Sequence, residues 1–379
     1  MEVVRSQTVP VRNEATRLEA QISKKFASEK QSFNLEVNFT AEPGITILFG
    51  ASGAGKTTLL DCIAGLTTPD SGRIAVSGKK LFDSSHRTNV ATESRNVGYV
   101  LQDLALFPHL TAEQNVRYGL SKLSTTQQQE LSSAIMESFR IAHLAKRKPR
   151  EISGGERQRV ALARTLVTDP VALMLDEPLA ALDIPTKSKI IDDLRAWNEA
   201  HRVPILYVTH SRDEVFALGE RVLILEKGQI IADGAAHQVM AAPRMETVAS
   251  LTGFENIFGA VVTAVHGDRG TMTCKLKDSE VELETPLVKA APGTALRVGI
   301  QAGDVLLAIS QPAGLSARNI VEGKITMLMQ RDVIVVAKVN CGVEMEVHLT
   351  LAARYALHLQ PGQPVWLIVK THSCHLMRS

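Results

Sequence analysis

A glycine-rich loop between a strand and a helix constrains the fold of this chain more than any other segment. Residues Gly50–Thr57 follow the pattern G-x-x-x-x-G-K-T. The apolar run Gly44–Phe49 before them predicts a short buried strand, and Lys56–Ala64 predicts a helix that Gly65 ends. Glycines at these positions let backbone N–H groups curl around a phosphate at a helix N-terminus. The sequence therefore predicts a phosphate-binding loop within an α/β fold.

The side chains of this loop have distinct predicted tasks. Lys56 is expected to reach the β- and γ-phosphates of a nucleotide, and Thr57 is expected to ligate Mg²⁺. The loop residues expected to surround the phosphates are Gly50, Ser52, Gly53, Gly55, Lys56, Thr57 and Thr58. A chance match is the alternative, but the preceding strand and following helix are the context that the motif requires.

Strands and helices alternate through the first part of the chain. Apolar runs predict further strands at Val97–Leu101, Val171–Leu175 and Ile205–Val208. Helical patterns occupy Ala112–Tyr118, Thr125–Ile141, Arg157–Thr168, Thr186–His201 and Arg212–Leu218. This alternation predicts a parallel sheet that is covered on both faces. Two segments nearer the N-terminus, Leu18–Ser23 and Phe33–Phe39, instead alternate residue by residue and predict an antiparallel hairpin or meander.

Shifts in composition divide the chain into predicted domains. Residues 1–15 are polar and are expected to form a disordered extension. Residues 16–250 are expected to form the α/β domain, with a helical subdomain at about 104–168. Residues 256–379 contain short strands with Gly and Pro between them. An internal repeat, in which Pro292–Ile300 matches Pro361–Val369, predicts two related β units in one small barrel-like domain.

Composition excludes several classes of function. A net charge of +2 and an aromatic content of 4% give no reason to expect nucleic-acid binding. The cysteines are too far apart in sequence for a disulfide framework or a zinc motif, which fits a reducing cytosol. The longest apolar runs are far shorter than the ~20 residues of a membrane span. Any role at a membrane is therefore expected to depend on a partner.

Two carboxylates follow the predicted strand Val171–Leu175. Ligands of parallel sheets bind where the strands end, so Asp176 is a candidate for Mg²⁺ and Glu177 for the general base that polarises water. The alternative is a helix N-terminus, which also favours acidic residues and which Pro178 permits. His210 and Gln102 follow two other predicted strands, so both are expected at the same sheet edge, near the γ-phosphate and Mg²⁺.

A second polar turn, Ile152–Gln158, contains two glycines and opens a predicted helix. It is far along the chain from the phosphate-binding loop. The separation predicts two half-sites that a single subunit does not bring together, and therefore a homodimer that closes around ATP.

Together these motifs resemble the ATP-binding subunits of ABC transporters. The resemblance covers roughly residues 18–251 and comprises the phosphate loop, the glutamine loop at Gln102, the signature Ile152–Gln158, the Asp176–Glu177 pair, the D-loop Ala181–Asp183 and the switch His210. It implies an ATPase in which Ser153, Gly154 and Gly155 of one subunit hold the γ-phosphate bound by the other, and in which Asp183 of the D-loop also contributes to nucleotide binding. Ile152 and Glu156 depart from the usual Leu and Gln of the signature.

The resemblance also implies an aromatic side chain that stacks on adenine. Phe26 lies at the usual distance before the phosphate loop and is the candidate. The alternative is that Phe26 only ends a strand.

The segment after Gln102 indicates an importer. Leu106–Thr111 is similar to the stretch on which membrane permeases dock in this group, and Leu104, Leu106 and Phe107 would make that contact. A role for these residues in the core is the alternative. The resemblance implies a peripheral subunit on the cytoplasmic face of the bacterial inner membrane, integral permease subunits as partners, and a separate periplasmic or surface binding protein.

The C-terminal region resembles the molybdate-binding Mop type of β domain. Ser316–Asn319 carries this resemblance, and Leu179–Pro185 is also similar to ATPases of molybdate importers. The predicted oxyanion ligands are Ser316, Arg318, Asn319, Lys370 and Thr371. Leu351–Tyr355 lacks the small hydroxyl residues common in the family, so a structural, dimerising domain is the alternative. The predicted cargo is molybdate or tungstate. The alternatives are an importer of sulfate, polyamine, sugar or ferric ion, and a soluble ABC ATPase that does not transport.

Overall fold

The computed structural model describes residues 16–27, 32–180, 182–241, 243 and 245–377. The chain divides into two compact units, one that ends at Ala236 and one that begins at His237. The extension predicted for residues 1–15 and Ala181 of the predicted D-loop lie outside the described residues.

The first unit is built on one large sheet. Its strands are β1 Leu18–Ala27, β2 Ser32–Ala41, β3 Gly44–Phe49, β4 Ser71–Val76, β5 Lys79–Asp83, β6 Thr88–Asn89, β7 Val97–Val100, β8 Ala172–Asp176, β9 Pro204–Thr209, β10 Arg221–Glu226 and β11 Gln229–Ala235. Their order across the sheet is β6-β5-β4-β1-β2-β11-β10-β3-β9-β8-β7.

The sheet has a parallel half and an antiparallel half. Strands β10, β3, β9, β8 and β7 pair in parallel, whereas β1 pairs in antiparallel fashion with β2 and β4. Every residue of β3, β8 and β9 is buried, as expected for parallel strands with elements on both faces. In β2, burial alternates from Asn34 to Ala41, which confirms the predicted hairpin with one face in the core.

The α-helices connect these strands and extend into the second unit. They are α1 Lys56–Ala64, α2 Ala112–Arg117, α3 Thr125–Ser138, α4 Gly154–Leu166, α5 Ile184–His201, α6 Arg212–Leu218, α7 Ala236–Ala241, α8 Glu246–Leu251 and α9 Leu351–Ala356. Among the described residues, no helix is long and apolar enough to cross a membrane.

Two helices begin earlier than the sequence pattern predicts. Helix α4 begins at Gly154 rather than Arg157, because the Ser153 side chain caps it and the two glycines are its first helical residues. Helix α5 begins at Ile184 rather than Thr186, since Asp183 is its N-cap and Pro185 lies in its first turn. A polar N-cap extends each helix beyond its apolar periodicity, and α5 also has a proline in its first turn.

The second unit contains two five-stranded sheets of matching design. Its strands are β12 Asn256–His266, β13 Thr271–Leu276, β14 Glu282–Pro286, β15 Ala295–Ile300, β16 Leu306–Ala308, β17 Asn319–Arg331, β18 Ile334–Asn340, β19 Glu344–Thr350, β20 Pro364–Val369 and β21 His375–Met377. One sheet has the order β14-β13-β12-β15-β21, and the other has the order β19-β18-β17-β20-β16. The repeat seen in the sequence therefore corresponds to two β units that exchange short edge strands and share one apolar core.

Two buried asparagines join the β units in equivalent ways. Asn256, at the start of β12, donates to the backbone oxygen of Glu346 at 2.8 Å and accepts from the Glu346 N–H at 2.7 Å. Asn319, at the start of β17, donates to the Glu284 oxygen at 3.0 Å and accepts from the Glu284 N–H at 2.6 Å. Each half of the repeat therefore holds an edge strand of the other half through a side-chain amide.

Candidate functional site

The phosphate loop takes a conformation that only its glycines allow. Gly53 and Gly55 have φ values of 78° and 104°, in the left-handed region that favours glycine. A Cβ on Gly50 would lie 2.2 Å from the backbone oxygen of Leu225, so a side chain there would collide with β10. Gly55 is also the N-cap of α1 and has no side chain to occupy the helix N-terminus. The loop therefore leaves that N-terminus open for an anion.

Lys56 bends back over this loop. Its Nζ donates to the backbone oxygens of Gly50 and Ala51 at 2.8 and 2.9 Å. Burial lowers the pKa of its ammonium group, and the nearby carboxylates of Glu177 and Asp176 offset part of that effect. A bound phosphate would add a negative partner in direct contact with this buried cation.

Asp176 at the end of β8 meets the phosphate loop. Its Oδ2 accepts a hydrogen bond from Thr57 Oγ1 at 2.8 Å. Burial raises the pKa of Asp176, and the nearby Glu177 adds to the shift, whereas the Thr57 hydrogen bond opposes it. A hydroxyl and a buried carboxylate in contact are oxygen donors of the kind that Mg²⁺ prefers.

Glu177 has a left-handed backbone, with φ of 46°. Non-glycine residues rarely adopt this conformation, and such strain concentrates at functional sites. The N–H of Glu177 donates to the Val208 oxygen of β9 at 3.1 Å, which fixes the turn against the sheet. Its Oε2 lies 3.2 Å from Nδ1 of His210, which follows the end of β9. The two side chains therefore form a pair at the edge of the parallel sheet.

One cavity of about 560 Å³ brings the predicted ATP-site residues together. Its lining includes the phosphate loop, Gln102, Asp176, Glu177 and His210. These residues come from the ends of β3, β7, β8 and β9, which are neighbours in the sheet. The cavity is within the size range of nucleotide and drug-sized ligand sites.

The aromatic residue in this cavity is Phe33 rather than the predicted Phe26. Phe33 lines the cavity, and a Cβ on Gly55 would lie 2.6 Å from its ring. Phe26 is the antiparallel partner of Phe33 and is 42% exposed, with its ring centroid 6.3 Å from that of Phe33. Sequence reasoning assigned Phe33 to the alternating face of β2 and missed its position beside the phosphate loop. Direct partners lie on the same face of the sheet, so strand order makes the difference: β2 is nearer than β1 to β3, which leads into the loop.

The signature residues form a capping box at the start of α4. Ser153 Oγ accepts from the Glu156 N–H at 3.3 Å, and Glu156 Oε2 accepts from the Ser153 N–H and Oγ at 2.7 and 2.8 Å. The hydrogen bonds from Ser153 lower the pKa of the Glu156 carboxyl, so it is held as the anion. Glu at this position, a departure from the usual Gln, therefore orders the turn that presents Ser153.

The signature lines a second depression, separate from the ATP-site cavity. Ser153, Gly154 and Gly155 lie there with Asp183, in a space of about 520 Å³. The side chain of Asp183 accepts from the Thr186 N–H at 3.3 Å and begins α5. The lining residues of the two cavities do not overlap. One copy of the chain therefore holds the phosphate loop and the signature in two separate cavities.

The predicted oxyanion residues do not form a common cluster of free donors. Asn319 is 3% exposed, and its amide oxygen and nitrogen are occupied by the Glu284 backbone. Thr371 Oγ1 lies 3.4 Å from the Glu284 carboxylate, which would repel an anion. Ser316, Arg318 and Lys370 are exposed. The contacts of Asn319 are therefore structural. An oxyanion-binding role for the predicted residues is supported only by the family resemblance.

Two side-chain amides, those of Asn256 and Asn319, join the β units, and removing either one is expected to destabilise the second unit to a similar degree. Asn319→Ala leaves the N–H and C=O of Glu284 without their partners, and Asn256→Ala does the same to Glu346. We expect each to lower the free energy of unfolding by about 2 kcal/mol. Urea unfolding of the full chain measures both variants. If Asn319→Ala abolishes molybdate binding at unchanged stability, Asn319 is a ligand instead.

Comparisons with known proteins define the class. The profile of the family described as ABC transporter matches residues 35–180, and the profile of the TOBE domain matches residues 315–376. A dimeric, post-hydrolysis structure of the ATP-binding cassette MJ0796 bound to ADP and Pi has a TM-score of 0.51 and 27% identity. The similarity covers 58% of this chain and 98% of that one. The chain is thus an ATPase of the ABC class, with a P-loop α/β unit followed by a small β domain of the TOBE type.

Full-length relatives define the family more closely. The molybdenum import ATP-binding protein ModC of Rhizobium meliloti is 38% identical, over 90% of this chain and 95% of that protein. ModC of Vibrio cholerae is 36% identical, over 86% of this chain and 89% of that protein. The chain belongs to this ModC family of ABC ATPases.

Proposed function

We propose that this protein hydrolyses ATP to drive the import of molybdate. The observation that carries the proposal is the cavity that joins the phosphate loop to Asp176, Glu177 and His210. The assignment of the cargo rests on the relatives, which are named molybdenum import proteins and are similar along most of this chain. Tungstate, a tetrahedral dianion like molybdate, is the close competitor.

Glu177 is the proposed general base. Its carboxylate lines the cavity, and one of its oxygens is 3.2 Å from His210. In this position it would accept a proton from the water that attacks the γ-phosphate. His210 would hold the carboxylate and donate a hydrogen bond to the γ-phosphate. Glu177 and His210 follow the adjacent strands β8 and β9, so both side chains lie at the same edge of the sheet. The backbone at Glu177 is strained in this position.

Lys56 and the α1 N-terminus would bind the phosphates, since Gly55, Lys56 and Thr57 line the cavity where α1 begins. The oxygen donors Thr57, Asp176 and Gln102 would hold Mg²⁺, which would neutralise charge on the β- and γ-phosphates. The ring of Phe33, or that of Phe26 next to it, would stack on the adenine.

A homodimer would complete each ATP site. The signature depression holds Ser153 at a helix N-terminus, where a phosphate is favourable, but one copy keeps it apart from the phosphate loop. The similarity to a dimeric cassette bound to ADP and Pi supports the arrangement in which each copy supplies one half-site. Asp183 lies beside the signature and would face the dimer partner.

The membrane path would come from separate permease subunits. The segment with Leu104, Leu106 and Phe107 is the proposed docking site, and these side chains are only partly buried. The chain would then be a peripheral subunit on the cytoplasmic face of the inner membrane. A binding protein outside the membrane would select the cargo.

Uptake of labelled molybdate into vesicles tests the cargo. Vesicles would contain this chain, the permease that co-purifies with it and a binding protein, with ATP inside. We expect ATP-dependent uptake that unlabelled molybdate and tungstate suppress and that sulfate does not. Uptake that sulfate suppresses more strongly than unlabelled molybdate does would identify a sulfate importer instead. Calorimetric titration of the full chain with molybdate separately tests an oxyanion site at Ser316, Arg318 and Lys370.

A further inference from the structure

Two consecutive left-handed residues follow the glutamine loop. Leu104 and Ala105 have φ values of 62° and 40°, and neither is glycine. A single residue of this kind is uncommon and a consecutive pair is strained, so other contacts must hold it. The local contacts are few: the Leu104 N–H donates to the Leu101 oxygen at 2.9 Å, and the Ala105 N–H donates to Asp103 Oδ1 at 3.1 Å.

Arg164 supplies the missing restraint from another element. Its Nη2 donates to the Leu104 oxygen and its Nη1 to the Ala105 oxygen, both at 2.7 Å. Its guanidinium carbon is also 5.6 Å from the ring centroid of Phe107. A planar fork that binds two successive carbonyls fixes their relative orientation, which a lysine would not do. The strained turn is therefore clamped by one side chain.

Arg164 belongs to the helix that the signature begins. Ser153 caps α4, and Arg164 follows eleven residues later in its last turn. At 1.5 Å per residue the two are about 16 Å apart along one rigid rod. The clamped turn Leu104–Ala105 follows Gln102, which lines the ATP cavity, and precedes Phe107 in the chain.

Asn115 anchors the far side of the same segment. Its Oδ1 accepts from the Phe107 N–H at 2.8 Å, and its Nδ2 donates to the oxygens of Leu110 and Thr111 at 3.3 and 2.9 Å. Asn115 lies in α2, so this anchor comes from a second helix, which itself packs against α4. The two anchors divide the segment into a part held by the signature helix and a part held by α2.

We propose that Arg164 is a positioning residue that locks the turn Leu104–Ala105 to the signature helix. When the segment that faces the permease moves, Ser153 then moves with it. The idea rests on the proposed function, in which this segment meets the permease and Ser153 meets ATP of the partner subunit. Arg164 does not line the ATP cavity, and it acts through the loop.

Amide hydrogen exchange on the full chain tests the lock without a permease. In Arg164→Ala and Arg164→Lys, exchange at Leu104 and Ala105 should become about tenfold faster or more. Amides of the buried strand β3 should change little and serve as an internal reference. Arg195→Ala, which removes an exposed arginine of α5, is the matched control. Unchanged exchange at Leu104 and Ala105 in Arg164→Ala would overturn the proposal.

The same measurement with ATP tests the coupling. In a Glu177→Gln background, ATP should slow exchange at Leu104 and Ala105, and Arg164→Ala should remove that effect while ATP affinity stays within about twofold.

In vesicles, Arg164→Ala should lose about tenfold or more of permease-stimulated hydrolysis and keep the basal rate. Equal losses of basal and stimulated rates would indicate a merely structural role. If the parent imports no molybdate, the proposed cargo fails, whereas the exchange experiment still decides the role of Arg164.

Discussion

Glu177→Gln is expected to abolish ATP hydrolysis while ATP binding remains. The substitution keeps the shape of the side chain but removes the carboxylate that would accept the proton from water. Loss of a general base lowers kcat by about 10²–10⁴-fold. The phosphate loop, Lys56 and Thr57 are unaltered, so ATP should still bind. With hydrolysis blocked, the closed dimer should accumulate, and size-exclusion chromatography with ATP and Mg²⁺ would detect it.

Glu130→Gln is a matched control for this variant. Glu130 is an exposed residue of α3, so the same carboxylate-to-amide change there should leave the rate unaltered. Hydrolysis by Glu177→Gln at the parent rate would show that the Glu177–His210 pair is not the catalytic base. A loss of both hydrolysis and ATP binding would show that Glu177 is needed for the cavity itself.

Gly154→Asp and Lys56→Ala are expected to inactivate the enzyme in different ways. A Cβ on Gly154 would have Leu182 Cδ2 as its nearest neighbour at 3.7 Å, so a side chain fits. An aspartate in the first turn of α4 also suits the helix dipole, so the chain should fold. Its carboxylate would nevertheless repel the γ-phosphate of the partner subunit, and the hydrolysis rate should fall by about 10²-fold or more.

Lys56→Ala should instead weaken ATP binding to the isolated chain. It removes a buried ammonium group that now bonds two loop carbonyls, and the expected loss of affinity is about tenfold or more. Binding of a fluorescent ATP analogue separates the variants, because Gly154→Asp should bind it as the parent does. Gly267→Asp adds the same charge where no atom lies within 4 Å of the new Cβ, and serves as the control. Parent-like hydrolysis by Gly154→Asp would exclude the signature from the ATP site.

The sequence predicted the main cavity well, because its residues follow the ends of parallel strands. Strands that run in parallel end at one edge, so Gln102, Asp176 and His210 had to lie near the phosphate loop once β7, β8 and β9 were identified. The aromatic neighbour could not be chosen in the same way. Phe26 and Phe33 are partners across a hairpin, and sequence distance does not decide which ring turns toward Gly55.

In the second unit, by contrast, the sequence did not predict which polar side chains remain free. Polar residues at Ser316–Asn319 resembled a ligand motif, but Asn319 bonds a backbone 35 residues away, and Asn256 bonds one 90 residues away. Such pairings depend on how the two β units exchange strands, which the repeat in the sequence does not specify. A short motif predicts the chemical character of its side chains, while tertiary contacts decide whether those side chains remain free.

Cross-linking between two copies tests the two-subunit ATP site most directly. One tagged chain would carry Ser52→Cys in the phosphate loop, and a second, differently tagged chain would carry Ser153→Cys in the signature, both in the Glu177→Gln background. Of the natural cysteines, Cys62, Cys274 and Cys374 are buried and Cys341 is partly buried, so background reaction should be low. Because a disulfide requires two Cα atoms within about 7 Å, we expect a covalent dimer of the two different chains that forms with ATP and Mg²⁺ under mild oxidation. Absence of that mixed dimer, together with an internal disulfide in a chain that carries both cysteines, would contradict the account.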